Sequence, residues 1–175
     1  MIYAYLLIVG LLMIILQTTL LVGGGPASLY DLMAPFVVFL GVYHPARVAV
    51  PVLVLGGLAM DGISGGVFGI HLSVYLWMYA GVRSAIQFLH VGNVILMPLL
   101  VVLGVAFESL AVAFSAVVLA SAAWPVEAAF SVVPGQILWG ALTGPLLMIL
   151  FIRGQRLVDQ VRRSIAVDAE PTRTS

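Results

Sequence analysis

Glu108 stands near the middle of a long apolar run, residues 94–123, and is the first residue whose type in that setting points to chemistry. Facing lipid, a carboxylate there would cost about 3 kcal/mol, so it must face protein or a cavity and find an internal partner. Gly104, Ala111 and Ser115 lie four residues before it and three and seven after it. They form a small-residue face on which another helix can approach closely. Two roles stay open for Glu108: a substrate or proton site, or a protonated or hydrogen-bonded carboxyl that holds helices together.

Asp61 and His71 bracket a turn that contains Gly62, Gly65, Gly66 and Gly69, glycines that admit backbone conformations closed to other residues. A hydrogen bond between Asp61 and His71 would fix that turn. Metal ligation needs three or four donors, and no second histidine stands near at helical or hairpin spacing, so no metal is expected. His71, Tyr75 and Tyr79 recur every fourth residue and give one helix an aromatic, polar-tipped face. Gly140 and Gly144 form a G-x-x-x-G with Gln136 one turn earlier, a helix-packing motif, although Pro145 beside it equally marks a kink. No G-x-S-x-G, H-E-x-x-H, phosphate-binding glycine loop with lysine or catalytic carboxylate pair occurs. The expectation is therefore a protein that is not an enzyme and carries no cofactor.

The elements that position these residues must be membrane helices. Of 175 residues, 63% are hydrophobic and 8% charged, and the mean hydropathy is +1.21. A water-soluble domain needs about a quarter of its residues charged, so lipid is the natural solvent. Seven arginines balance seven acids without a polybasic block, which excludes nucleic-acid binding. The absence of cysteine removes disulfides and thiol chemistry.

Six spans are predicted, over residues 2–22, 29–43, 46–60, 68–88, 94–123 and 133–152. The first is read as an uncleaved span, for it lacks a positive leading region and a cleavage site. The second is short, with Asp31 at its start. The fifth is longer than the bilayer requires and calls for tilt, a break near Pro98, or ends in the headgroups. Arg47 and Arg83 fall beside alternate loops and the other five arginines follow the last span, so both termini are expected in the cytoplasm. Residues 1–152 thus form the transmembrane domain and 153–175 a basic tail. Within the tail, Leu157, Val158, Val161 and Ile165 at helical spacing, with Arg153, Arg156, Arg162 and Arg163, predict an interfacial helix on membrane lipids, or a simple stop-transfer anchor. Residues 166–175 read as disordered.

The segment from Gly57 through Asp61, Gly65 and Gly69 to His71, opening into an apolar helix with Tyr79, resembles the signature of MreD, the rod shape-determining membrane protein family. The preceding run resembles that family's second span and loop, with Asp31 at its start, Gly41-Val42-Tyr43 at its end and a brief basic turn at Arg47. The likeness covers about residues 28–84. The chain reads Val67-Phe68-Gly69 where the family usually has Pro-Leu-Gly.

The resemblance implies a multi-pass component of the bacterial inner membrane. It would be a non-enzymatic scaffold of the elongation machinery, acting in rod cell shape and peptidoglycan synthesis. Its partner would be MreC, within a wider complex of MreB, RodA and penicillin-binding-protein synthases. It brings no catalytic residues to carry over. The rival reading is the substrate-binding S component of an energy-coupling factor transporter, whose fold is similar. Those components typically carry Ala-x-x-x-Ala in the first span, where this chain has only Ala4. On that reading Glu108, His71 and Gln136 would contact a small ligand.

Overall fold

The computed structural model describes residues 2–20, 31–65, 68–88, 96–119, 131 and 133–168. Six helices form the chain's described part: α1 (Ile2–Leu20), α2 (Met33–Tyr43), α3 (Ala46–Ser64), α4 (Ile70–Phe88), α5 (Leu96–Leu119) and α6 (Val133–Asp168). Four of them, α1, α3, α5 and α6, are long and apolar enough to cross a bilayer; α2 is apolar but shorter. Large apolar side chains face outward along α1 (Leu7, Ile8, Leu11, Ile15), α5 (Leu99, Leu103, Phe107, Phe114) and α6 (Leu142, Leu146, Leu150). The chain is an all-α, membrane-embedded protein, since such surfaces are stable against lipid and not against water.

Several boundaries differ from those read in the sequence. Helix α3 continues through Asp61-Gly62-Ile63-Ser64 and ends where Gly65 takes the left-handed conformation, φ 65°. The stop is therefore set by backbone handedness at Gly65, not by the first glycine met. Phe68 and Gly69 are turn residues, and α4 begins at Ile70. Pro98 causes no break in α5, because it lies in the first turn, where its missing N–H would have no helical acceptor. Pro145 likewise leaves α6 a single helix of 36 residues, about 54 Å long. The tail is not a separate helix, and 166–168, expected to be disordered, complete α6. Gly66, the second end of the fifth run and residues 169–175 lie outside the described residues.

Helix α2 is the axis of the bundle. Its 11 residues are about 16 Å long, half a hydrocarbon layer, and the whole run 33–41 is buried. Phe36 and Phe39 stack on each other and both meet Phe151 of α6, at 5.5 and 5.4 Å between ring centres. The surrounding helices approach closely where glycine removes a side chain. A Cβ on Gly41 would meet Val82 at 2.7 Å, one on Gly56 would meet Met33 at 2.7 Å, and one on Gly104 would meet Val38 at 2.7 Å.

These contacts also fix which ends lie together. The Tyr3 hydroxyl donates to the Arg47 carbonyl at 3.2 Å, and the Tyr5 hydroxyl donates to the Phe151 carbonyl at 2.9 Å. Gly41 lies against Val82, beside Arg83. The start of α1, the α2–α3 turn, the end of α4 and Arg153 therefore share one end of the bundle. At the other end Gln17 Oε1 accepts the Leu32 N–H at 3.1 Å, which sets the start of α2 level with the last turn of α1.

Candidate functional site

The residue before α4 is Gly69, φ 96°, which has no side chain to satisfy the free N–H groups of the helix's first turn. Asp61, in the last turn of α3, supplies the missing acceptor. Its Oδ1 accepts the His71 N–H at 2.8 Å and its Oδ2 accepts the Leu72 N–H at 3.3 Å. The same Oδ1 lies 3.0 Å from His71 Nδ1. A buried carboxylate at a helix N-terminus is stabilised by the helix dipole as well as by its hydrogen bonds. The α3–α4 turn is drawn tight because Gly57, one turn before Asp61, lets the Leu72 backbone come within 2.6 Å of where a Cβ would stand. Gly65 and Gly69, with positive φ and open space around them, serve the chain reversal itself. The Asp61, Gly65, Gly69 and His71 of the sequence reading are thus one unit, a helix cap supplied by the preceding helix.

A second cluster lies deeper. Asp31 is buried at the start of α2, where its Oδ1 accepts the Met33 N–H at 2.7 Å. Its Oδ2 accepts a hydrogen bond from the Tyr75 hydroxyl of α4. Glu108 of α5, also buried, comes within hydrogen-bonding range of the same Asp31. Asp31 and Tyr43 bracket α2, which places the cluster about 18 Å from the arginine-bearing end. The partner that Glu108 requires is therefore Asp31, and the cluster ties α2, α4 and α5 together. The His71 ring meets the Tyr75 ring edge-on, 6.1 Å between centres, and so the two clusters adjoin.

Asp31 and Tyr75 are the functional candidates that residue-by-residue reading missed. Asp31 stood at the start of its span and Tyr75 one turn after His71; both positions are visible in the sequence, but their convergence on Glu108 is not.

Gly140 and Gly144 form a seam inside the molecule. A Cβ on Gly140 would meet Val105 of α5 at 2.8 Å, and one on Gly144 would meet Val101 at 2.3 Å. This face is occupied by α5. Between α4 and α5 an apolar groove of about 190 Å³ is lined by Trp77, Met78, Gly81, Leu103, Gly104 and Phe107, among others. Glu108, His71 and Gln136 do not line it. Among the described residues no group of three His or acidic side chains is placed to hold a metal ion.

At the arginine-bearing end, His44 sits in the α2–α3 turn, 4% exposed, with its Nε2 buried and unpartnered. Its ring packs edge-on against Phe39, and its carbonyl accepts the Tyr79 hydroxyl at 3.2 Å. The aromatic face of α4 is thereby engaged at each step: His71 with Asp61, Tyr75 with Asp31, Tyr79 with the α2–α3 turn. Burial lowers the His44 pKa below the usual histidine value, against a weaker upward pull from Asp159 of α6. No family model, curated protein or solved structure matches the chain.

Proposed function

We propose that the chain is a non-enzymatic membrane scaffold of the bacterial elongation machinery, binding MreC and acting in rod shape and peptidoglycan synthesis. One observation carries this reading: the polar groups that would do chemistry are engaged in holding helices to one another. Asp61 caps α4, Asp31 caps α2, and Tyr75 and Glu108 converge on Asp31. The resemblance of residues 57–71 to the MreD signature agrees with it, because the resembling residues form the α4 cap. On this reading six helices enter the inner membrane, with both termini and the arginines in the cytoplasm.

The test is co-purification of the tagged protein from its native membranes, with mass spectrometry of the proteins and small molecules that accompany it. MreC or wall synthases are expected. Recovery of ATPase subunits with a bound small ligand would overturn the scaffold and make the chain a transporter subunit.

A further inference from the structure

The two-residue link between α2 and α3 buries His44, and its Nε2 has no hydrogen-bond partner among the described residues. A ring nitrogen buried in this way has given up its hydrogen bond to water without a replacement. The link is held from three sides. The His44 ring meets Phe39 of α2, its carbonyl accepts the Tyr79 hydroxyl of α4, and the Tyr3 hydroxyl of α1 donates to the Arg47 carbonyl.

Helix α6 closes the fourth side. The Phe39 and Phe151 rings meet at 5.4 Å, which sets α2 and α6 level there, and both helices run on toward the arginine-bearing end. His44 lies five residues past Phe39 and Asp159 eight past Phe151, about 7 and 12 Å along the two helices. Asp159 therefore overhangs His44 by about one turn. Its Cα–Cβ bond tilts toward the N-terminus of α6, back toward the link. Asp159 is half-covered, and its charge acts on the His44 ring. The packed elements also carry Arg47, Arg83, Arg153 and Arg156, yet the pull on His44 comes from Asp159. Among the described residues the ion pair within 4 Å is Asp61 with His71, so Asp159 is near His44 without touching it.

We propose that His44 and Asp159 form a proton-operated latch: a proton taken up from water by the His44 ring draws the Asp159 carboxylate into an ion pair and pulls α6 onto the α2–α3 link. The neutral ring offers the carboxylate no charge, and the latch is open. The protonated ring has donors at both nitrogens and a buried charge that requires an acceptor, and Asp159 is the anion within reach. Burial keeps the ring neutral until the pH falls below the usual histidine value, so the latch stays open near neutrality. The inference does not depend on the scaffold reading.

The chain lacks cysteine, so spin labels on an Ala46→Cys/Gln160→Cys variant, both exposed positions, report the distance from the link to α6 in the full-length protein in vesicles. Between about pH 7.5 and about pH 5 that distance should shorten by about 2–4 Å, part of the one-turn overhang. The shortening should vanish when Asp159→Asn or His44→Phe is added. The histidine ring-proton resonance that disappears in His44→Phe identifies His44, and it should titrate at a lower pH in Asp159→Asn than in the parent. A distance indifferent to pH, a shortening that survives Asp159→Asn, or a His44 titration that Asp159→Asn leaves in place would each overturn the latch.

Discussion

Replacing Gly57 with alanine should separate α3 from α4 and open the Asp61 cap. The new methyl would stand 2.6 Å from the Leu72 Cα and 3.1 Å from its nitrogen, both backbone atoms that cannot swing away. Restoring a carbon contact of about 3.5 Å moves the helices apart by about 1 Å. Asp61 is one turn further along α3, so the 2.8 and 3.0 Å contacts to His71 would stretch to about 3.8–4 Å, past hydrogen-bonding reach. Overpacking costs about 1–3 kcal/mol. Each lost hydrogen bond in a membrane bundle adds about 0.6–2 kcal/mol. The better helix propensity of alanine returns about 1 kcal/mol. The net loss is about 3 kcal/mol, roughly a hundredfold in the unfolding equilibrium.

Gly62 is the internal control. It lies in the same helix, but a Cβ there meets nothing within 4 Å, so Gly62→Ala should be neutral or slightly stabilising. Unfolding in bicelles by titrated dodecyl sulfate, followed by tryptophan fluorescence, measures both variants against the parent. If Gly57→Ala unfolds no more readily than Gly62→Ala, helix contact at Gly57 does not support the cap.

Further outcomes follow from the same geometry. Asp61→Ala should destabilise by about 2–4 kcal/mol and more than His71→Ala, because it also orphans two backbone N–H groups; unfolding midpoints that rank the other way would count against the cap. Tyr75→Phe removes the hydroxyl that Asp31 accepts and should cost about 1–3 kcal/mol in the same assay, while an unchanged midpoint would detach Tyr75 from the cluster. Gly140→Ala should be destabilising and Val105→Ala should partly rescue it, since the two share one contact of 2.8 Å; strict additivity in the double-mutant cycle would refute the seam. His44 binds protons less readily folded than unfolded, so the unfolded chain takes up more protons as pH falls below the usual histidine value. Stability should therefore be full above about pH 6.5 and decline toward lower pH, with a shallower decline in His44→Phe.

Composition and hydropathy were enough to read an all-α, membrane-embedded chain, because apolar runs bounded by glycine, proline and arginine are a local signal. The pairing of Asp61 with His71 was also legible, for ten residues across a glycine turn bring both to one helix junction. Asp31 with Glu108 was not, since the two lie 77 positions apart and meet only because glycines at 41, 56 and 104 let three helices close around α2. The interior use of Gly140 and Gly144 escaped for a similar reason: a glycine pair shows that something packs close, and the identity of that neighbour is a property of the assembled bundle. Helix ends moved by up to four residues where the decisive term was a single left-handed glycine, as at Gly65.

The central position of α2 has a consequence for biosynthesis. A helix of 11 residues, buried along nearly its whole length, is too short to be halted in the bilayer by its own hydrophobicity and has almost no surface to offer lipid. Its two-residue link to α3 means that it enters as one arm of a hairpin, retained by the longer arm. Release into lipid before α4 and α5 arrive would leave Asp31 exposed to hydrocarbon, so the ribosome must deliver Tyr75 and Glu108 before the first half of the chain reaches its final place.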